Sequence, residues 1–269
     1  MAETDGVVAH YGGANLVERI LVAAAEAGVT EITPASLAPV DEFHSGGLPA
    51  TRELAKFAGM KPGESVIDLG CGIGGPSRVL ASEFGCDVTG IDLTPEFIEA
   101  AQVLTERCGL SGQLRFETGD ATELPYKDGS FDVAWTQHVV MNIRERQKFY
   151  NEAARVLKAG GRLVFFDLLR GDESRPLEYP LPWARTADIS FLHNETDTKA
   201  FIEKAGLVED TWMDMTAQGA QALRQQVAPG AFSLGLVLGE DFAERIQNVG
   251  RAISDGRLRL IRGLYRKPA

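Results

Sequence analysis

The residues best suited to chemistry in this chain form a glycine-rich turn with acids on either side. The string Val66-Ile67-Asp68-Leu69-Gly70-Cys71-Gly72-Ile73-Gly74-Gly75 passes from an apolar segment into a turn carrying four glycines, and Pro76 to Ala81 reads as the start of a helix. Glycine serves where the backbone must take positive φ or approach a ligand closely, and a strand-to-helix turn aims free N–H groups into the crevice. Gly70, Gly72 and Gly75 satisfy the dinucleotide spacing G-x-G-x-x-G. Asp68, two residues before the first glycine, suits a cationic amino acid moiety better than a pyrophosphate. Asp92 ends the segment Val88-Thr89-Gly90-Ile91-Asp92, 22 residues after Gly70. A carboxylate there can accept hydrogen bonds from ribose hydroxyls. Further on stand Gly119-Asp120-Ala121 and Gln137-His138. Histidine titrates nearest neutral pH, which makes His138 the candidate general base.

The elements that would position these residues alternate regularly. Helix is expected over Thr51 to Met60, Pro76 to Phe84, Thr94 to about Cys108, and Asn142 to Leu157. Strands are expected at Ser65 to Leu69, Asp87 to Ile91, Gln113 to Glu117, Phe131 to Thr136 and Arg162 to Leu169. Lys158-Ala159-Gly160-Gly161 reads as a turn. Thr94-Pro95-Glu96 is a strong helix start, and Asn142 with Glu145 three residues later reads as a helix cap before it reads as a substrate contact. This rhythm predicts an α/β fold, a Rossmann-like, doubly wound, mostly parallel seven-stranded sheet with helices on both faces. Asp68, Asp92, Asp120 and Gln137 then lie at the carboxyl ends of strands, where such sheets bind ligands.

Two regions lie outside the rhythm. Residues 1–50 read as a helical flap over the ligand: a helix from Leu16 to Ala27, then a loop from Pro34 to Pro49 with three prolines and Ser45-Gly46-Gly47. The core is expected over residues 51–269. Its insertion at about 170–195, with Pro176, Pro180, Pro182, Tyr179, Trp183 and Phe191, is suited to a pocket wall. A helix at Thr196–Ala205, a strand at Leu207–Met215, helical stretches at about 217–227 and 240–254, and a strand at Arg257–Arg266 complete the chain.

The glycine turn with Asp68, Asp92 and Asp120 resembles the class I S-adenosylmethionine methyltransferases. The resemblance covers roughly Ala50 to Leu207, and it is closest to the small-molecule subgroup of phosphoethanolamine and sarcosine/dimethylglycine N-methyltransferases. The phosphoethanolamine enzymes carry a Ser-Thr-Gly-Gly loop that touches the cofactor, and His44-Ser45-Gly46-Gly47 is similar. Gly90-Ile91-Asp92-Leu93-Thr94 also matches. The resemblance implies S-adenosylmethionine held by Ser45, Gly46, Asp68, Gly70, Gly72, Asp92, Leu93 and Thr94, with Asp120 and Ala121 at the adenine; Gln137 joins them by its strand-end position. Where the phosphoethanolamine enzymes have an Arg-Asp pair after the fourth strand, this chain has Gln137-His138, which argues against a phosphobase. The implied reaction is methyl transfer to a small molecule, foremost an amine of the sarcosine/dimethylglycine type. The alternatives are O- or C-methylation of a natural product with His138 as base, or a non-catalytic cofactor-binding module. Tyr11, His44, Asn142, Trp183 and Arg185 are the candidate acceptor contacts.

Composition narrows the partners. Lys plus Arg number 27 against 38 Asp plus Glu in 269 residues, a net charge of −11, which opposes binding to nucleic acid or an anionic membrane. No Asn/Asp-Pro-Pro-Tyr motif of base methylation follows the fourth strand. An NAD-dependent oxidoreductase would share the glycine turn, but Asp68 and the lack of a dehydrogenase set disfavour it. Cys71, Cys86 and Cys108 have no C-x-x-C spacing, so neither disulfide framework nor metal site is expected. The acidic start and the lack of an apolar run predict a cytoplasmic protein without membrane span, monomeric or homodimeric.

Overall fold

A computed structural model describes residues 6, 8, 10, 15–226, 232–239 and 241–269. Seven strands, β1 (Ser65–Leu69), β2 (Asp87–Asp92), β3 (Leu114–Thr118), β4 (Phe131–Gln137), β5 (Leu157–Arg170), β6 (Val208–Asp214) and β7 (Leu258–Arg266), form one sheet. Their order is β3-β2-β1-β4-β5-β7-β6. The first five run parallel, while β7 lies antiparallel to both neighbours.

The sheet is covered on both faces, so its central strands are apolar at successive positions. Val66, Val133, Trp135, Val164 and Phe166 pack into one core cluster, and their neighbours Ile67, Ala134, Leu163 and Phe165 pack into another. That alternation is the period of two along a strand. The covering helices include α4 (Gly75–Phe84), α5 (Pro95–Arg107), α6 (Arg146–Val156) and α7 (Glu195–Lys204), with the C-terminal α8 (Thr216–Gln226); the short α9 (Gly235–Leu238) packs on the N-terminal helices and on α10 (Phe242–Ser254), which contacts α8 and the last strand. They follow α1 (Leu16–Glu26), α2 (Pro34–Asp41) and α3 (Gly47–Phe57) of the N-terminal segment. No helix among the described residues is long and apolar enough to cross a membrane.

Four local expectations need correction. Residues 34–41 are helix, not loop. Thr33 caps them reciprocally with Ser36, each side-chain oxygen accepting from the other's backbone N–H at 3.1 and 2.9 Å, and Pro34 fits the first turn, where no N–H is needed. Helix α3 begins at Gly47, so it crosses the boundary expected at residue 50. Residues 158–161 belong to β5 rather than to a turn: Gly160 N–H donates to the Lys267 carbonyl, and Lys267 N–H to that of Gly161. Asn142 is not a helix cap; it ends a short 3-10 turn, and α6 starts after Glu145.

The N-terminal helices have a core of their own, in which Leu16, Ile20, Leu37 and Val40 pack on Ile73, Phe97 and Leu104. A buried ion pair fastens them to the glycine turn. The Arg78 guanidinium donates to Asp41 Oδ2 at 2.8 Å, and also to the Ile73 carbonyl at 2.8 Å and Thr105 Oγ1 at 3.1 Å. Removing one member of such a pair costs roughly 3–5 kcal/mol.

Candidate active site

A cavity of about 910 Å³ opens beyond the carboxyl ends of β1 to β4. That is at the upper end of the range for small-molecule sites, roughly 300–1,000 Å³. Its floor is the glycine turn. Gly70 has φ of +75°, and a Cβ there would lie 2.5 Å from both Val139 methyl carbons. A side chain at this position would meet both a disfavoured backbone conformation and a clash. Gly72 offers its N–H to Asp92 Oδ2 at 2.9 Å, while Asp92 Oδ1 accepts from Thr94 N–H at 2.9 Å. The carboxylate is thereby fixed at the cavity wall by two backbone amides, and burial raises its pKa against their opposing pull.

Leu93, Thr94, Asp120, Ala121 and Gln137 all line the same cavity. Asp120 Oδ1 accepts from Thr122 N–H at 2.7 Å, an arrangement that stiffens the loop after β3. Gln137 accepts the Trp135 indole N–H at 3.0 Å through Oε1, which leaves its buried Nε2 with no partner among the described residues. Asp68 is a correction. It is 2% exposed, does not line the cavity, and accepts from Ser77 Oγ at 2.6 Å. Burial pushes its pKa up to about 7. The strand simply ends with this side chain turned beneath the loop toward α4.

His138 follows β4 and lines the cavity. Its φ of +53° is a left-handed conformation uncommon outside glycine, and its N–H donates to the Phe166 carbonyl at 2.9 Å. Nε2 is buried without a partner among the described residues. Burial, helped by His44, holds the pKa well below 6.5, so the ring is neutral at neutral pH. The His44 ring lies 6.0 Å away, centroid to centroid, in edge-on contact. His44 is held in turn: its Nε2 is 2.6 Å from Glu42 Oε2 and 2.8 Å from Thr51 Oγ1, and Thr51 Oγ1 donates to Glu42 Oε2 at 2.6 Å. Behind His138, Asp167 Oδ1 accepts from Val139 N–H at 3.0 Å, and burial pushes Asp167 up to about 7. Asp167 does not line the cavity, so it holds the backbone at His138 rather than facing a ligand.

Of the remaining candidates, His44, Ser45, Asn142 and Trp183 line the cavity. Asn142 spends its amide on the insertion, donating to the carbonyls of Trp183 at 2.8 Å and Ile189 at 2.9 Å. Trp183 donates to Ser190 Oγ at 2.9 Å and is almost fully buried. Gly46 does not line the cavity, although both its neighbours do. Arg185 is not brought to the cavity; it is exposed and donates to Asp241 Oδ2 at 2.6 Å. Tyr11 lies outside the described residues, as does the Pro229-Gly230 link.

Residues 67–165 match the family described as "Methyltransferase domain". The whole sheet, with β7 inserted antiparallel between β5 and β6, has the class I arrangement. The chain has the class I methyltransferase fold. Phosphoethanolamine N-methyltransferase 1 of Arabidopsis thaliana is 31% identical over 183 residues, 68% of this chain and 36% of that protein. The probable chloroplastic tocopherol O-methyltransferase of Oryza sativa subsp. japonica is 40% identical over 104 residues, 39% of this chain and 29% of that one. The matched stretch thus spans about a third of the length of these curated relatives. Geranyl diphosphate C-methyltransferase from Streptomyces coelicolor A3(2), solved with Mg2+, geranyl-S-thiolodiphosphate and S-adenosyl-L-homocysteine, superposes with a TM-score of 0.73 at 17% identity, covering 99% of this chain and 98% of that one. That likeness carries the shared fold through the N-terminal helices and the C-terminal ones.

Two parts of the candidate site had no sequence signal strong enough to find them. Glu42 and Thr51 meet His44 only because α2 and α3 fold back on each other. The far wall was expected from the insertion alone, and Pro182, Trp183 and Phe191 do contribute. More of its apolar residues come from α9 and α10 and the residues before them, including Phe232, Leu236, Leu238, Phe242 and Ile246. In sequence these positions look like ordinary core-facing helix residues.

Proposed function

We propose that the chain binds S-adenosylmethionine between the glycine turn, Asp92 and Asp120, and methylates an oxygen or carbon nucleophile on a largely apolar small molecule. The observation that carries this reading is His138, a cavity-lining residue with a neutral imidazole whose buried Nε2 has no protein partner among the described residues. The chain's residues fit the cofactor: Asp92 stands ready for ribose hydroxyls, Asp120 and Ala121 for the adenine, and the Gln137 amide for a further acceptor atom. When bound, S-adenosylmethionine supplies an electrophilic methyl group on a sulfonium. The protein's own work is to align the acceptor with it and to exclude water. As the acceptor oxygen or activated carbon takes the methyl group, His138 Nε2 receives the proton it gives up.

The lining supports an apolar acceptor over the amine of the sarcosine/dimethylglycine type. Among the described lining residues Arg144 is the one Lys or Arg, and its guanidinium sits over the Phe191 ring at 4.5 Å. Against it stand Asp41, Glu42, Asp92, Asp120 and Glu145. An acceptor carboxylate or phosphate would meet an acidic, apolar chamber.

The test is incubation with methyl-labelled S-adenosylmethionine and a panel of apolar phenols, prenyl diphosphates, glycine, sarcosine, dimethylglycine and phosphoethanolamine. Label entering a phenol or an apolar carbon is the expected result. Label entering sarcosine or phosphoethanolamine in preference would overturn the acceptor reading, and failure to bind the cofactor would overturn the whole.

A further inference from the structure

Asp68, the acid expected to face a cationic moiety, is buried beneath the turn, but another acid occupies the cavity. Glu42 is 1% exposed and lines the cavity. Oε2 accepts from Thr51 Oγ1 and from His44 Nε2. Its other oxygen, Oε1, is buried with no donor among the described residues. Asp41 also has an oxygen without a donor, but that carboxylate is neutralised by the Arg78 guanidinium. No Lys or Arg among the described residues pairs with Glu42. A buried acceptor left empty is costly, more so when charged, so a donor arriving with the ligand regains that energy.

The position of Glu42 says which end of the ligand it meets. Asp92 and Asp120 close the β2 and β3 side of the cavity, where the adenosine is assigned. Phe43, the next residue after Glu42, packs against Gly72, so that a Cβ on the glycine would lie 3.1 Å from the Phe43 ring. Asp41, the residue before Glu42, approaches Gly75 in the same way, so the Glu42 segment lies against the glycine turn. We infer that Glu42 Oε1 is the acceptor for the primary ammonium of the cofactor's amino acid moiety. His44 and Thr51 occupy Oε2, which leaves Oε1 as the oxygen open to a further donor. This rests on the cofactor reading above and adds the residue that recognises the amino group.

Two titrations test it. In the first, the unmodified protein is titrated calorimetrically with S-adenosylhomocysteine and with its desamino analogue. The analogue should bind about tenfold more weakly, the value of one lost charge-assisted hydrogen bond. In the second, Glu42→Gln is titrated with S-adenosylhomocysteine and with 5′-methylthioadenosine, which lacks the amino acid moiety. The variant should lose about tenfold for the first ligand and keep its affinity for the second. Equal loss for both ligands, or equal binding of the desamino analogue, overturns the assignment. If the unmodified protein binds methylthioadenosine but does not distinguish the amino group, only the Glu42 assignment falls. If it binds none of the three ligands, the cofactor reading falls with it.

Discussion

Replacing His138 by Asn separates base catalysis from cofactor binding. Asparagine is among the few residues that tolerate the φ of +53° found here, so the backbone bond to the Phe166 carbonyl is retained. The imidazole has no protein hydrogen bond through Nε2 among the described residues, so the substitution breaks no side-chain contact at that atom. What disappears is the proton acceptor. Positioned general bases contribute about 10²–10⁴-fold, which is roughly 3–5 kcal/mol in the barrier. Single-turnover methylation of the preferred acceptor should slow by that factor, while S-adenosylhomocysteine affinity by calorimetry should change less than about twofold, well under 1 kcal/mol. The pH profile gives a second readout. Burial holds the His138 pKa well below its ordinary 6.5, so the unmodified protein should keep its rate at pH 6.5 and lose it only further down. Stability follows with a definite sign. Below 6.5 the unfolded chain binds a proton that the folded His138 refuses, so this residue's contribution falls on acidification and levels off above 6.5. The Asn variant lacks that slope. A variant with unchanged rate at every pH would refute the base assignment.

Two further outcomes follow from the carboxylates. Asp92→Ala leaves the Gly72 and Thr94 amides without their acceptor and removes the ribose contact, so S-adenosylhomocysteine affinity should drop by about tenfold or more; unchanged affinity in a titration refutes the site. Asp68→Asn should bind cofactor normally. With a folded pKa of about 7 against an ordinary 3.8, Asp68 keeps a proton between about pH 4 and 7 that the unfolded chain has released, and this stabilisation is lost as pH rises through 7. Thermal melts at pH 6 and 8 should therefore show a smaller alkaline loss for the Asn variant. A large loss of cofactor affinity at an unchanged melting temperature would put the carboxylate back in the site.

Much of the glycine-turn side of the cavity was legible because its signals are local. The turn from Gly70 to Gly75 needs glycine for reasons of backbone geometry, and the register of parallel strands then carries Asp92 and Asp120 to the same edge as Gly70. Local rules also misled where competing contacts were stronger. Asn142 has the spacing of a cap, yet its amide ties down the insertion through two carbonyls, and no periodicity reveals a partner some 40 residues away. The prolines of residues 34–49 suggested a loop, although a proline in the first turn of a helix is favourable.

By itself the sequence determined the strand-helix rhythm, the glycine turn, the acids at strand ends and the charge balance that opposes a polyanionic partner. These depend on neighbours within a turn or a strand. The tertiary structure decided the direction each acid faces and the composition of the chamber. Asp68 and Glu42 are both acids near the turn, but strand pleat and helix packing bury one beneath Ser77 and leave the other at the cavity with an empty oxygen. The cavity's apolar lining combines Ile143, Trp183 and residues from 232–239 and 242–249, which meet only after α10 packs against α8 and β7. Side-chain direction and long-range closure are not written in spacing, and at this site they decide which ligand atoms find a partner.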